Sequence, residues 1–149
     1  MESVQNHASV EILNELLRGE RSAVETYTQA LDKLEQPFMA REELRLCHSA
    51  HQARVGLLER AVTNLGGTPA VSSGVWGTFT KLVEGGAKVL GAKVAIAALA
   101  EGEDYGLHLY QKAMTGLDTA SSVFVERELI PEQEQTRKSI GNIKRMLDV

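Results

Sequence analysis

At 149 residues the chain can bury a substantial core without disulfides or a structural metal, and it reads as one domain over 1–149. A composition of 43% hydrophobic and 24% charged residues excludes a disordered chain, and 5% aromatics with three prolines favours helices over a β-sandwich or barrel. The net charge of −4 gives no electrostatic reason to expect nucleic acid as a partner, and a single cysteine, Cys47, excludes an intrachain disulfide and fits a reducing compartment.

The N-terminal run MESVQNHASVEIL has early acids and no basic-then-apolar leader pattern. The most apolar stretch, 89–100, contains Lys93 and is too short to span a bilayer. A cytoplasmic protein with no membrane partner is therefore expected.

The first helix is predicted over 9–35, with a seam of Leu13, Leu16, Glu20, Ala23, Tyr27, Ala30 and Leu34 that steps by three or four residues. Gln36-Pro37 interrupts it, and Pro37 is placed to open a second helix over 38–65. The second seam reads Leu44, His48, His51, Val55, Leu58, Val62, Leu65, and Gly66-Gly67 supplies the stop. A long crossover follows over 66–87, in which Val75, Trp76, Phe79, Leu82 and Val83 have the spacing of a short helix. The third helix, over 88–116, has the seam Ala92, Ile96, Leu99, Glu103, Gly106, Tyr110, Ala113, Leu117. A fourth, over 121–147, carries Leu129, Thr136, Ile140, Ile143 and Leu147, and Pro131 kinks or restarts it. Short connections within each pair and a long one between them predict an all-α, antiparallel four-helix bundle of two hairpins.

The two hairpins repeat. GERSAVETYTQA at 19–30 matches GEDYGLHLYQKA at 102–113 with a constant offset of 83, which pairs Gly19 with Gly102, Glu20 with Glu103, Tyr27 with Tyr110 and Ala30 with Ala113. Convergence of amphipathic helices explains shared Leu and Ala. It does not readily explain a shared glutamate on a buried seam, seven residues before a shared tyrosine. A buried carboxylate must be protonated, hydrogen-bonded, ion-paired or bound to metal. His48 and His51, one helical turn apart, add two imidazoles on the second helix. Such a set makes either a transition-metal site or a metal-free polar network, and the residues alone leave both open.

The Gly-Glu-x-x-Ala-x-x-x-Tyr run at 19–27, echoed at 102–110, resembles the first and third helices of rubrerythrin-type members of the ferritin-like superfamily. The short chain and the Glu-Gly-Glu segment at 101–103 look more like the bacterial ferritin-like domains of unknown function. The resemblance implies a ferritin-like fold holding one or two Fe, Mn or Zn ions, with oxidative or peroxide chemistry in a stress setting. It implicates Glu20 and Glu103 as the single carboxylates and His51 as the histidine of the second helix. His48 stands where a bridging Glu is expected, and no histidine follows His108, so the site departs from the family pattern. On the fourth helix an offset of 85 from the second puts Gln133 and Thr136 at the site, whereas 84 puts Glu132 and Gln135 there. Glu132 is the acid close to the site under either offset. The expected metal set is Glu20, His48, His51, Glu103 and Glu132, with no nucleotide or organic cofactor. The alternative is a metal-free bundle acting as a structural, homodimerising or interaction module. Tyr27 and Tyr110 are expected to reach inward as support, and Cys47 to be a packed side chain.

Overall fold

A computed structural model describes residues 4–34, 39–74 and 91–148. It contains α1 (Val4–Lys33), α2 (Arg41–Asn64), α3 (Ala92–Ala113) and a fourth helical stretch of three parts. These are α4 (Thr119–Phe124), a π-helical turn (Val125–Leu129) and α5 (Ile130–Leu147). The main packing partners are α1 with α2 and α3 with α5, so the two expected hairpins form and lie side by side. The expected crossover helix and Pro37 lie outside the described residues.

Several boundaries move for identifiable reasons. The first helix begins at Val4 rather than 9, because the added turn is polar and carries an exposed His7–Glu11 pair at 3.3 Å. The second begins at Arg41 rather than 38, which places Glu42 and Glu43 in its first turn, where the helix dipole favours acids. The third begins after Gly91, whose extended backbone precedes the first helical residue. The fourth begins at Thr119, since the Asp118 carboxylate accepts a 3.1 Å hydrogen bond from the Ser121 amide and caps the helix.

Pro131 restarts the fourth helix through the π turn. Proline has no N–H and crowds the carbonyl four residues back. The preceding turn widens, and the Ile130 amide bonds to the Val125 carbonyl, five residues away. The inward positions then step Val125, Leu129, Gln133, Thr136, Ile140, Ile143. That settles the register at an offset of 85.

The second helix ends where the glycine pair predicts. Gly66 has φ +84°, and the Gly66 and Gly67 amides bond to the Thr63 and Val62 carbonyls, which closes the helix by a left-handed turn. Gly67 lies so close to Val10 that a Cβ there would come within 2.6 Å of it. The start of the crossover is strapped to α1 by both ends of the Asn14 amide, bonded to Thr68 O and Ala70 N, and by Arg21 to Ala70 O. Gly66→Ala should cost about 1–2 kcal/mol, the usual penalty for a side chain in the left-handed region. Urea unfolding checks this, and an unchanged midpoint would contradict it.

The apolar core forms two clusters at opposite ends of the bundle. One gathers Tyr27, Leu34, Leu44, Cys47, Ile96, Leu99, Ile140 and Ile143. The other gathers Leu13, Leu17, Leu58, Val62, Tyr110, Val125 and Leu129. Leu13, Leu44, Leu58 and Leu129 are fully buried, and each such side chain contributes roughly 1.5–3 kcal/mol. Between the clusters lies a polar layer. No described helix is long and apolar enough to cross a membrane.

Candidate functional site

Every main helix sends polar groups to this layer. Glu20 and Tyr27 come from α1, His51 and Arg54 from α2, Glu103 and Tyr110 from α3, and Gln133 and Thr136 from α5. All eight are at most 4% exposed.

His51 is the centre. Its Nδ1 lies 2.6 Å from Glu20 Oε2 and its Nε2 lies 2.7 Å from Glu103 Oε2. A ring with a carboxylate at each nitrogen is best satisfied as imidazolium, donating both N–H groups. Burial alone would lower the His51 pKa, but the two glutamates outweigh it and raise the value above 6.5. Tyr27 lies tilted against the ring, with centroids 5.1 Å apart.

The repeat is visible as crossed hydrogen bonds. Tyr27 of α1 donates to Glu103 Oε2 of α3 at 2.6 Å, while Tyr110 of α3 donates to Glu20 Oε1 of α1 at 2.7 Å. Burial and the adjoining carboxylates push both phenols well above their ordinary pKa, so they remain protonated donors. The tyrosines therefore support the acids, as expected.

Arg54 was missed. Its guanidinium is 1% exposed, donating from Nε to Glu20 Oε1 at 3.1 Å and from Nη2 to Gln133 Oε1 at 3.0 Å and Thr136 Oγ1 at 3.2 Å. Nη2 also lies 2.7 Å from His51 Nδ1 and 3.2 Å from Nε2. Both ring protons already point at carboxylates, so this is a close approach of two cations rather than a donor–acceptor pair. Nη1 finds no hydrogen-bond partner among the described residues. The sequence did hold a signal: Arg54 follows His51 by three residues and precedes Leu58 by four, the spacing of the buried face.

Glu103 completes the network. Its Oε1 accepts from Thr136 Oγ1 at 2.7 Å and Gln133 Nε2 at 3.1 Å, and its backbone carbonyl accepts from Gln133 Nε2 at 2.9 Å. The Gln133 amide can lie against α3 because Gly106 is there; a Cβ would meet Gln133 Nε2 at 2.8 Å. Burial opposes ionisation of Glu20, but the charges of His51 and Arg54 and hydrogen bonds from His51 and Tyr110 bring its pKa down to about 2. Two carboxylates and two cations make the layer formally neutral. A cavity of about 40 Å³ adjoins it between α1 and α3, reaching Glu20, Tyr27, His51, Glu103 and Tyr110.

Two expected members stand apart. His48 is only half-buried, and its Nε2 lies 2.9 Å from Thr28 Oγ1 rather than at the glutamates. The inner face of α2 runs Leu44, Cys47, His51, Arg54, Leu58, so Cys47 and Arg54 occupy the positions assigned to His48 and Val55. Glu132 is exposed, since the π turn turns Gln133 and Thr136 inward instead. Cys47 is packed as expected, and burial, with the Glu103 charge, raises its thiol to about 11, which leaves it unreactive near neutrality.

Comparison with known proteins fits this architecture. Residues 8–116 match the family described as a domain of unknown function (DUF2383). The chain belongs to this family. No curated protein matches it. Among solved structures, a ferritin-like, diiron-carboxylate protein from Bacillus anthracis str. Ames superposes with a TM-score of 0.67 at 19% identity, covering 98% of this chain and 96% of that one. This DUF2383 chain therefore has the ferritin-like all-α fold that the resemblance at 19–27 and 102–110 implied. Among its described residues, no group of three or more His, Cys, Asp or Glu side chains is arranged to hold a metal ion.

Proposed function

We propose that the protein is a ferritin-like scaffold that works without a resident metal, as a structural and interaction module. The observation that carries this reading is Arg54, a cation that cannot shed its charge, buried against Glu20 at the centre of the bundle. The residues present do not fit the dimetal centre of the fold family. Both oxygens of Glu20 and Glu103 already accept hydrogen bonds, both His51 nitrogens face carboxylates, and Gln133 and Thr136 are neutral. Adding one divalent ion beside the intact Arg54–His51 pair would leave the layer with a net charge of about +2 in a nearly dry interior. The contact role is supported by exposed apolar side chains at one end of the bundle, where α2 and α3 begin and α5 ends: Leu46 at 63%, Val94 at 51% and Met146 at 52%. A homodimer joined through that end fits them.

A second reading is favoured by the convergence of Glu20, His51 and Glu103 and by the neighbour's description as a diiron-carboxylate protein. In it, one or two Fe, Mn or Zn ions bind at an altered site, with oxidative-stress chemistry. It requires Arg54 to leave and His51 to lose a proton.

Anaerobic loading with Fe(II), Mn(II) or Zn(II), followed by desalting and elemental analysis, separates the two. The expected result is metal far below one ion per chain and a melting temperature unchanged by chelator. Stoichiometric metal, lost in Glu20→Ala and His51→Ala, would overturn the metal-free reading.

A further inference from the structure

The polar groups around Arg54 are ones that could serve a metal ion. Its Nε and Nη2 engage Glu20 Oε1, Gln133 Oε1 and Thr136 Oγ1 within 3.2 Å, and Nη2 touches both nitrogens of His51. Three oxygens and an imidazole, with Glu103 on the far side of His51, form the mixed O/N set that divalent transition metals accept. The charge agrees. The guanidinium puts a fixed positive charge among the oxygens that a metal cation would need.

We propose that Arg54 is a built-in replacement for metal, and that removing its charge converts the cluster of Glu20, His51, Glu103, Gln133 and Thr136 into a site for one divalent transition-metal ion. The inference rests on the metal-free reading above. With Arg54 in place, an incoming ion meets a cation already bonded to the oxygens it needs. With Arg54 gone, two carboxylates face only His51, and the layer carries one uncompensated negative charge. A divalent ion can then take the place of the guanidinium and compensate the two carboxylates. Specificity is set here by a repulsive element that belongs to the chain itself.

The test compares the wild-type chain with Arg54→Ala, which opens space, and Arg54→Gln, which keeps most of the volume without the charge. Each is titrated with Co(II), read by its visible absorption, and with Zn(II), read by calorimetry and thermal shift. The expected result is one ion per chain in the variants, with affinity about 100-fold or more above wild type, because a charge-on-charge repulsion has been removed. A variant that fails to fold alone should refold when Zn(II) is supplied. Variants that fold but bind no tighter than wild type would overturn the inference and leave the metal-free reading standing. Failure of both variants to fold with or without Zn(II) would overturn it equally, since metal would not be standing in for the guanidinium. One ion per chain in the wild type would overturn the metal-free reading itself, and the inference with it.

Discussion

Glu20→Ala should destabilise the protein by about 3–5 kcal/mol, the usual cost of breaking a buried ion pair from one side. Glu20 is the carboxylate to which Arg54 donates, and Arg54 is 1% exposed and stays charged at any accessible pH. Loss of the acid also strands the Tyr110 hydroxyl, which donates to Glu20 at 2.7 Å. For a chain of this size the melting temperature should fall by roughly 10 °C. Replacing the network as a whole should behave differently. With Glu20, His51, Arg54 and Glu103 changed together to Leu or Met, and Tyr27 and Tyr110 to Phe, no charge remains in the layer. Gln133 and Thr136 keep backbone acceptors at Glu103 O and Glu132 O. The combined variant should equal or exceed wild-type stability, because packed apolar groups avoid the desolvation cost of buried ions. Urea denaturation of both proteins is the measurement. A loss below about 1 kcal/mol in Glu20→Ala would mean that the pair contributes no more than an exposed one.

Stability should also depend on pH in a specific way. The Glu20 pKa is held at about 2, against an ordinary value of 4.5. Its contribution is therefore complete above pH 4.5 and is lost as pH falls toward 2. The full shift corresponds to about 3 kcal/mol. His51 has the opposite sign: its pKa is raised above 6.5, so its contribution is complete below 6.5 and disappears as pH rises through the folded-state value. The network stabilises most between about pH 4.5 and 6.5. His48 works against the alkaline limb, because burial and the His51 charge lower its pKa, and folding then favours its neutral form. The informative quantity is thus the difference between wild type and His51→Gln in unfolding free energy from pH 3 to 9. That difference should shrink above pH 6.5; a constant or growing difference would mean a neutral His51 in the folded protein.

The acids and the histidine of this site were legible in the sequence and its arginine was not, for physical reasons. Glu20 and Glu103 stood out because the repeat placed the same acid on two apolar seams, and burial of both confirms the placement. Arg54 did not, because a charged residue among apolar ones reads as surface, and Val55 beside it offered an apolar seam position. The same preference for a smooth seam put His48 inside, where the packed residue is Cys47. On the fourth helix, periodicity cannot register the extra residue of a π turn, and a one-residue slip was enough to leave Glu132 and Gln133 undecided. The turn glycines and the hairpin plan were readable because they depend on neighbours in sequence. The partners of Arg54, 34 to 82 residues away, were not.

The crossed tyrosine–glutamate bonds also bear on how the molecule comes apart. Each hairpin's acid is satisfied by the other hairpin's phenol, 76 residues away in one case and 90 in the other. Neither half can close its own interior with its buried acid satisfied in the same way, so an isolated hairpin would hold that group against water or unfold. The two copies of the motif are thereby one cooperative unit. Amide protons beside Glu20 and beside Glu103 should share a single opening free energy, although they lie on helices that scarcely follow one another along the chain.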